Sequence, residues 1–446
     1  MGSVIGNNSY NNFGELANSQ TSFNAQTLYQ ISLDEATKER DKLGRIRFKT
    51  ENIQGQISQS EYSYDLAGRL IREIKDGLST TYGYDRNGNR THLNGQLIAH
   101  YDNQDRLLDY AGTTYGYSAN GELQSKTENG STTNYHYDLL GNLIRVTQAK
   151  QTIDYFIDGQ NRRMGKKRNG QWVQGFLYQD QLNPVAELDG NNTVISQFIY
   201  ADKANVPAYM IKNGIRYRII SDQLGSPRLV INSGTGEVVQ RIDYDVWGNI
   251  SQDSNPGFQP FGFAGGIYDH DTQLTRFGAR DYDAWSGRWT NKDPIRFGGG
   301  DANLYGYVLG DPVGFIDPDG LVWQYSQTTG RLTHINGNRA AVNIGDGYSG
   351  NGQGLNNPNM QNVPNVGPIP QGTYDIGQQV DSPNTGLGVL PLTPQSNENM
   401  YGRSAFQIHG DNRRGNQSAS QGCMIFDRNT RNRINNSGDN VLVVVP

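Results

Sequence analysis

Cysteine occurs once in 446 residues, at Cys423, so a disulfide within the chain and any metal site built on paired cysteines are excluded. Histidine is almost as scarce. His92, His100, His136, His270, His334 and His409 stand apart with no HxxxH spacing, which argues against structural zinc. Long apolar runs are missing too: the longest aliphatic one, Val441–Val445, is far short of the ~20 residues that span a bilayer. No basic stretch followed by an apolar one opens the chain, so no Sec-type signal is expected. Charge is sparse and mixed in sign, 39 Lys+Arg against 44 Asp+Glu, with no basic stripe of the kind that grips nucleic acid. Lysine disappears after Lys292, and residues 322–446 carry arginine only, amid dense Asn, Gly and Pro. That shift marks a tail domain of ordinary domain size.

What the chain has in quantity is glycine, 55 residues, and tyrosine, 26. With a mean hydropathy of −0.70 whose polarity comes from Asn, Gln, Ser and Thr, this is the composition of short strands and tight turns, and it excludes a helical protein. The tyrosines repeat. YSYDLAGRLIREI begins at Tyr62, YGYDRNGNRTHL at Tyr82, HYDNQDRLLDY at His100, YGYSANGELQSKT at Tyr115 and YHYDLLGNLIRVT at Tyr135. The second tyrosine falls at 64, 84, 101, 117 and 137, a spacing of 16 to 20 residues. Weaker copies follow at Tyr155, Tyr178 and Tyr200, and a clear one at Tyr244. Each unit reads as a hairpin: a Tyr-x-Tyr strand, an Asp-x-x-Gly turn that tolerates positive φ, and a returning Leu-Ile-Arg-Val strand. One hairpin cannot bury its own face, so copies must stack into a continuous sheet. A β-sandwich also has frequent turns, but it does not explain one register kept five times.

These units resemble the YD repeats of Rhs proteins, and the resemblance sharpens in SDQLGSPRLV (Ser221–Val230), RFGARDYDAWSGRWTNKDPI (Arg276–Ile295) and NLYGYVLGDPVGFIDPDGL (Asn303–Leu321). It implies an all-β spiralling sheet shell over residues 55–321 that encloses a cargo. Residues 1–54 read as a partly disordered N-terminal segment, with SLDEATKERDKLGRI forming a short helix capped by Ser32. Rhs proteins usually carry many more repeats and a delivery domain, so this chain reads as a truncated, orphan or recombinant version.

Two places carry candidate chemistry. At the end of the core, Asp293 and Asp317 each open an Asp-Pro turn, with Arg280 upstream. Paired carboxylates split their pKa values into an acid and a base, although Asp-Pro and Asp-Gly are also common turn dipeptides. By the Rhs resemblance, Asp293 and Asp317 form an aspartyl dyad supported by Arg280, which cuts the chain between Leu321 and Val322. In the tail, His409-Gly410 precedes Cys423 by fourteen residues, and Ser420-Gln421-Gly422 leads into it. An imidazole near a thiol is the arrangement of a cysteine nucleophile, while glycines admit the backbone donors of an oxyanion hole. A lone cysteine is more often a buried small hydrophobe.

With GPIPQGTYDIG at Gly367–Gly377 upstream, the tail over about residues 345–446 is similar to the L,D-transpeptidase fold, in particular the forms delivered as toxins by type VI secretion. It departs from that pattern at Gln421, which replaces a histidine. It departs again at Ile425, which stands where an arginine usually contacts the substrate carboxylate, leaving Arg403, Arg413, Arg414 or Arg428 as replacements. His334 has no such frame. The resemblance implies a small β-rich catalytic domain, 322–446, whose Cys423 and His409, with a pocket of Ser420, Gln421, Gly422 and Gly410, remove or exchange the terminal D-Ala of peptidoglycan tetrapeptide stems without metal or cofactor. It also implies an antibacterial toxin, acting in the periplasm of target bacteria, with an immunity protein and a secretion apparatus or chaperone as partners and no nucleic acid or membrane span. The rival readings are a non-enzymatic YD-repeat adhesin, with Cys423 buried away from His409, and a papain-like peptidase, with a helix starting at the cysteine and an Asn or Asp orienting His409.

Overall fold

The structure is a computed structural model that describes residues 4–11, 15–34, 40–42, 44–180, 182–201, 203, 205–293, 303–317, 323–334, 342–394, 399–412, 414–437 and 441–445. It is all-β, about 50% strand and 5% helix. The chain divides into two compact units, one of residues 1–292 with 305–318 and the other of residues 293–304 with 319–446.

In the first unit, the repeat hairpins pair with their neighbours in strict chain order. Among the described residues, a nine-stranded sheet runs from Val4–Tyr10 to Gln96–Leu97 and a sixteen-stranded one from Ala99–Tyr101 to Ile250–Asp253. A four-stranded sheet, Ile267–Asp269 to Arg288–Trp289, follows. The register explains the repeat. A bulge precedes the second tyrosine of each of the five clear units, which in four of them then faces the leucine just past the turn: Tyr64 opposite Leu70, Tyr101 opposite Leu107, Tyr117 opposite Leu123, Tyr137 opposite Leu143, whereas Tyr84 faces Arg90. Those leucines are at most 3% exposed, so each contributes about 1.5–3 kcal/mol of burial to the core.

The turn aspartate accepts two backbone N–H bonds, as Asp85 does from Asn87 and Asn89, both at 2.9 Å. The second tyrosine then locks its hairpin to the one before. The phenols of Tyr64, Tyr84, Tyr101 and Tyr178 donate to the carbonyls of Ile46, Leu70, Arg90 and Arg163 at 2.7–2.9 Å. Arginines in the turns extend the lock: Arg69 pairs with Asp65 at 2.7 Å, donates to the Asp85 carbonyl at 3.0 Å and lies over the Tyr84 ring at 4.8 Å. Arg162 repeats this with Asp158, the Asp180 carbonyl and the Tyr178 ring.

The N-terminal segment departs from expectation. Residues 4–53, expected to be partly disordered and separate, contain four strands of the first sheet, Val4–Tyr10, Leu16–Phe23, Gln26–Ser32 and Phe48–Ile53. Ser32 caps no helix; it is a strand residue paired with Thr50, and its strand places Leu28, Tyr29 and Ile31 in the core. Residues 35–39 and 43, where the helix was expected, lie outside the described residues.

The second unit is built around one mixed sheet. Its parallel pairs join Trp323–Ser326 to Val441–Val445, and Phe406–His409 to Met424–Ile425. Its core gathers Trp323, Tyr325, Ile369, Tyr374, Leu390 and Phe406 with other apolar side chains. The helix Arg428–Ser437 starts at Asp427, whose carboxylate accepts the Thr430 N–H at 2.8 Å and satisfies one free helix-end donor.

Two tests follow from the repeat geometry. Tyr84→Phe leaves the buried Leu70 carbonyl unpaired, an expected loss of about 1 kcal/mol and a melting midpoint lower by about 2–4 °C, while Leu66→Ala at an exposed turn is neutral. Burial opposes ionisation of Asp102 and Asp158, but their arginine and backbone N–H partners prevail and hold both below the ordinary carboxylate range. The stability they add is therefore present above that range and lost as pH falls through it, which melting curves below pH ~4 check.

Candidate functional site

The strand Phe406–His409 alternates faces. Phe406 and Ile408 enter the core together with Met424 and Phe426 of the neighbouring strand. Gln407 and His409 face the other way. The parallel register, Ile408 opposite Met424 and His409 opposite Ile425, carried back one residue places Cys423 beside Gln407. Thiol and imidazole thus belong to the same sheet face on adjacent strands. The Gln407 backbone lies close enough to the Cys423 side chain to favour its thiolate.

The imidazole is pinned. His409 is 5% exposed, and its Nδ1 lies 2.9 Å from the Gly410 carbonyl, which can only accept. Nδ1 therefore carries the proton, and the neutral ring keeps its lone pair on Nε2. Burial pushes the His409 pKa down, and the nearby Arg431 guanidinium pushes it further, against the Gly410 bond. Burial pushes the Cys423 thiol up, although the Gln407 N–H and the Arg403 guanidinium both favour the thiolate. At rest the pair is a neutral thiol and a neutral base. Among the described residues no hydrogen bond joins them.

The turn before Cys423 is clamped by hydroxyls. The Ser420 Oγ accepts the Gly350 N–H at 2.8 Å and the Gly422 N–H at 3.1 Å, and donates to the Cys423 carbonyl at 2.6 Å. A second hydroxyl, Ser349, reaches the same carbonyl at 2.8 Å while accepting the Ile369 N–H at 2.8 Å. Gly422 has φ +114°, a conformation in which an L side chain is strained, and a Cβ there would meet Arg403 Nη2. Arg403 in turn donates to the carbonyls of Pro368 at 2.7 Å and Gly367 at 3.1 Å, which ties the Pro-x-Pro-x-Gly-x-Tyr segment to the nucleophile. Tyr348 bridges both ends of the 411–419 loop, donating to Asp411 at 2.6 Å and accepting the Ala419 N–H at 3.2 Å.

Several expected roles change. Gly422 does not offer an oxyanion donor, because its N–H is spent on Ser420. The Cys423 N–H, without a partner among the described residues, is the donor left for that task. Gly410 serves through its carbonyl, orienting His409. Gln421 is exposed. Of the replacement arginines, Arg403 is beside the thiol, Arg414 and Arg428 are exposed, and Arg413 lies outside the described residues. Ser349, Tyr348 and Arg431 carry no motif and escape sequence reading. A strand rather than a helix follows Cys423, and a carbonyl rather than Asn or Asp orients the imidazole; both features depart from the papain-like reading. The shared sheet face departs from the adhesin reading. Among the described residues, no group of three His, Cys, Asp or Glu side chains is placed to hold a metal ion.

At the other candidate, Arg280 pairs with Asp317 at 2.9 Å and stacks over Trp289 at 4.1 Å. Asp293 belongs to the second unit and Asp317 to the first, while Leu321 and Val322 lie outside the described residues.

The raised thiol makes a measurable prediction. Alkylation of Cys423 by iodoacetamide should rise about tenfold per pH unit from pH 7 to 9 without a plateau below the ordinary thiol range. A plateau near neutral pH indicates a resting ion pair with His409 instead. Gly422→Ala should lower the melting midpoint, because both its φ and the Arg403 contact forbid a side chain.

Comparison with known proteins covers both units. A Teneurin YD-shell family model matches residues 3–303, and a Tlde1 domain model matches residues 343–445. Teneurin-1 of Gallus gallus is 31% identical over 285 residues, 59% of this chain and 10% of its own length. Teneurin-3 of Danio rerio is 31% identical over 301 residues, 62% and 11% respectively. The tRNA3(Ser)-specific nuclease WapA of Bacillus spizizenii is 29% identical over 277 residues, 59% and 11%. The chain thus spans about a tenth of these curated relatives. The solved TcdB2-TccC3-TEV structure superimposes with a TM-score of 0.50 at 18% identity, over 72% of this chain and 18% of that one, a likeness of fold alone.

Proposed function

The chain belongs to the Teneurin YD-shell family, and from that premise we propose that its shell is an Rhs-type toxin scaffold whose tail is a cysteine acyl-transfer enzyme of the L,D-transpeptidase kind. The observation that carries the reading is the placement of Cys423 and His409 on one sheet face, with Nδ1 pinned and Nε2 left as base. The Tlde1 domain match over the same unit supports it. A shell-bearing relative named as a nuclease supports the pairing of such a scaffold with an enzyme.

In the proposed reaction, His409 Nε2 takes the thiol proton as sulfur attacks the carbonyl carbon of the diamino acid at position three of a peptidoglycan tetrapeptide stem. The Cys423 N–H stabilises the oxyanion, and the imidazolium returns its proton to the leaving amine of D-Ala. Water, or a second D-amino acid, then attacks the thioester and restores the thiol. Because both resting groups are neutral, the charge separates only as the bond forms, which places the task of thiolate formation on His409. The clamp on the Cys423 carbonyl holds the nucleophile and its N–H in fixed orientation. Action in the periplasm of target bacteria, an immunity protein and a delivery apparatus belong to this proposal, as does release of the tail by cleavage after Leu321.

The test is mass spectrometry of tetrapeptide muropeptides incubated with the full chain. Tripeptide stems, or tetrapeptides with an exchanged terminal D-amino acid, should accumulate; none should form with Cys423→Ala, and His409→Ala should slow the reaction ~10²–10⁴-fold. Unaltered tetrapeptides with a folded, alkylatable wild type overturn the reading. In cells, the chain sent to the periplasm should arrest growth, whereas the same chain kept in the cytoplasm should not.

A further inference from the structure

Among the described arginines of the second unit, one carries its charge partly out of water with no acid beside it. Arg403 is half-buried, and no Asp or Glu among the described residues pairs with it. The titratable groups close enough to act on it are the Tyr374 phenol and the Cys423 thiol. Other arginines of this unit are better matched. Arg331 pairs with Asp346, Arg431 has Asp427 nearby, and Arg414 and Arg428 are exposed to water. A guanidinium withdrawn from water and answered by no anion is costly, so its place beside the nucleophile calls for a cause.

Part of the side chain is structural. Nη1 donates to the carbonyls of Gln361 and Pro368, and one N–H of Nη2 donates to that of Gly367. Those acceptors are neutral and leave the charge unmatched. They also leave Nε–H and the second N–H of Nη2 without a partner among the described residues. Nε stays open to solvent, unlike the sealed Nε groups of Arg90 and Arg288 in the first unit. Nε and Nη2 form one edge of the guanidinium, and such an edge can take both oxygens of a carboxylate at once.

This edge lies beside the reacting group. Nη2 stands against Gly422, where an added Cβ would meet it, and Gly422 directly precedes Cys423. When sulfur attacks a peptide carbonyl, the α-carboxylate of a terminal leaving residue is three bonds from the attacked carbon, under about 4 Å away. The thiolate by itself does not answer the charge of Arg403, because it disappears once the thioester forms. A carboxylate on the leaving residue is charged from first binding until that residue departs.

We propose that Arg403 determines the specificity of the Cys423 site, its free edge binding the terminal α-carboxylate of the residue that is removed. This assignment rests on the acyl-transfer reading of Cys423 and His409. It makes the enzyme exo-acting. Peptides that end one residue beyond the attacked carbonyl, with a free carboxylate, are its substrates. Amidated peptides bring no charge to Arg403, and longer ones carry their carboxylate past it, so both are poor substrates.

The test is isothermal titration of the full chain carrying Cys423→Ala, which stops turnover, with a peptidoglycan tetrapeptide stem and with its C-terminal carboxamide. The acid should bind at least about tenfold more tightly than the amide, and the two should bind about equally once Arg403→Gln is added. Equal binding of the two peptides with Arg403 in place overturns the proposal. So does a preference that survives Arg403→Gln, or no binding of either peptide. Should Arg403→Gln fail to fold, Arg403→Lys decides, because an ammonium keeps the charge and loses the two-pronged edge. A narrowed preference then supports the assignment, and an unchanged one overturns it. Wild-type turnover of the two peptides separates the carboxylate site from the enzyme reading. Tripeptide formed equally fast from acid and amide overturns the site and leaves the enzyme standing. Preferential binding of the acid with no product formed overturns the acyl-transfer reading and leaves the site.

Discussion

One hydrogen bond, repeated at Tyr64, Tyr84, Tyr101, Tyr178 and Tyr200, organises much of the larger unit: the second tyrosine of the hairpin donates its phenol to a carbonyl of the hairpin before it. A sheet ladder alone fixes strands edge to edge but leaves their side-chain layers free to slip by two residues. The phenol reaches a defined carbonyl, so it sets the register of successive units as well as their adjacency. Burial makes the bond worth more, since a phenol left unpaired out of water is costly. Around Tyr64 the phenol lies so deep that desolvation drives its pKa well above the ordinary value, and ionisation never competes with donation. The leucine opposite Tyr64, Tyr101, Tyr117 and Tyr137 adds the apolar contact, and the turn aspartate supplies the reversal. Three residue types, at constant spacing, thus perform register, core and turn.

That division of labour explains what was legible in sequence. Tyr, Leu and Asp-x-x-Gly recur because each performs one of these tasks, and the hairpin stack follows from them. The strands Val4–Tyr10 and Leu16–Phe23 were not legible, since Asn, Ser, Gln and Thr dominate them and no apolar alternation announces them. They are strands because a neighbouring ladder accepts them: Val4 pairs with Phe23, and Asn18 with Ser32. Composition signals a strand only when one of its faces is apolar, and an edge of this sheet needs neither face to be so.

The candidate site divides along a similar line. His409 and Cys423 were legible because a loop of thirteen residues between two apolar strands brings them to one face. Ser349 and Tyr348 lie some seventy residues away from their partners Cys423 and Ala419, and a hydroxyl at that distance leaves no pattern in a single sequence. Gly422 was legible as a place of close backbone approach, but not the partners that use it. Its freedom serves φ and the Arg403 contact, whereas its N–H is consumed by Ser420. Backbone donors can be counted only once their partners are known.

Arginine used as a clamp on carbonyl oxygens connects the two units in chemical terms. Arg69 and Arg162 hold turn carbonyls in the first; Arg403 and Arg431 hold loop carbonyls in the second. A guanidinium offers five donors in one plane and can tie several strands of loop at once, where an ammonium, a point charge on a flexible stem, satisfies them less well. This accounts for a tail without lysine: a unit rich in irregular backbone needs multidentate donors. The same clamps then act electrostatically without further cost. Arg403, placed to brace Gly367 and Pro368, favours the thiolate of Cys423; Arg431, placed to brace Leu387 and Phe426, keeps His409 neutral. The two effects oppose each other along the reaction, because Cys423 gains negative charge on losing its proton, which Arg403 favours, whereas His409 gains positive charge on accepting one, which Arg431 disfavours. The resting pair therefore keeps a neutral ring with its lone pair free and a thiol easier to ionise than burial alone allows.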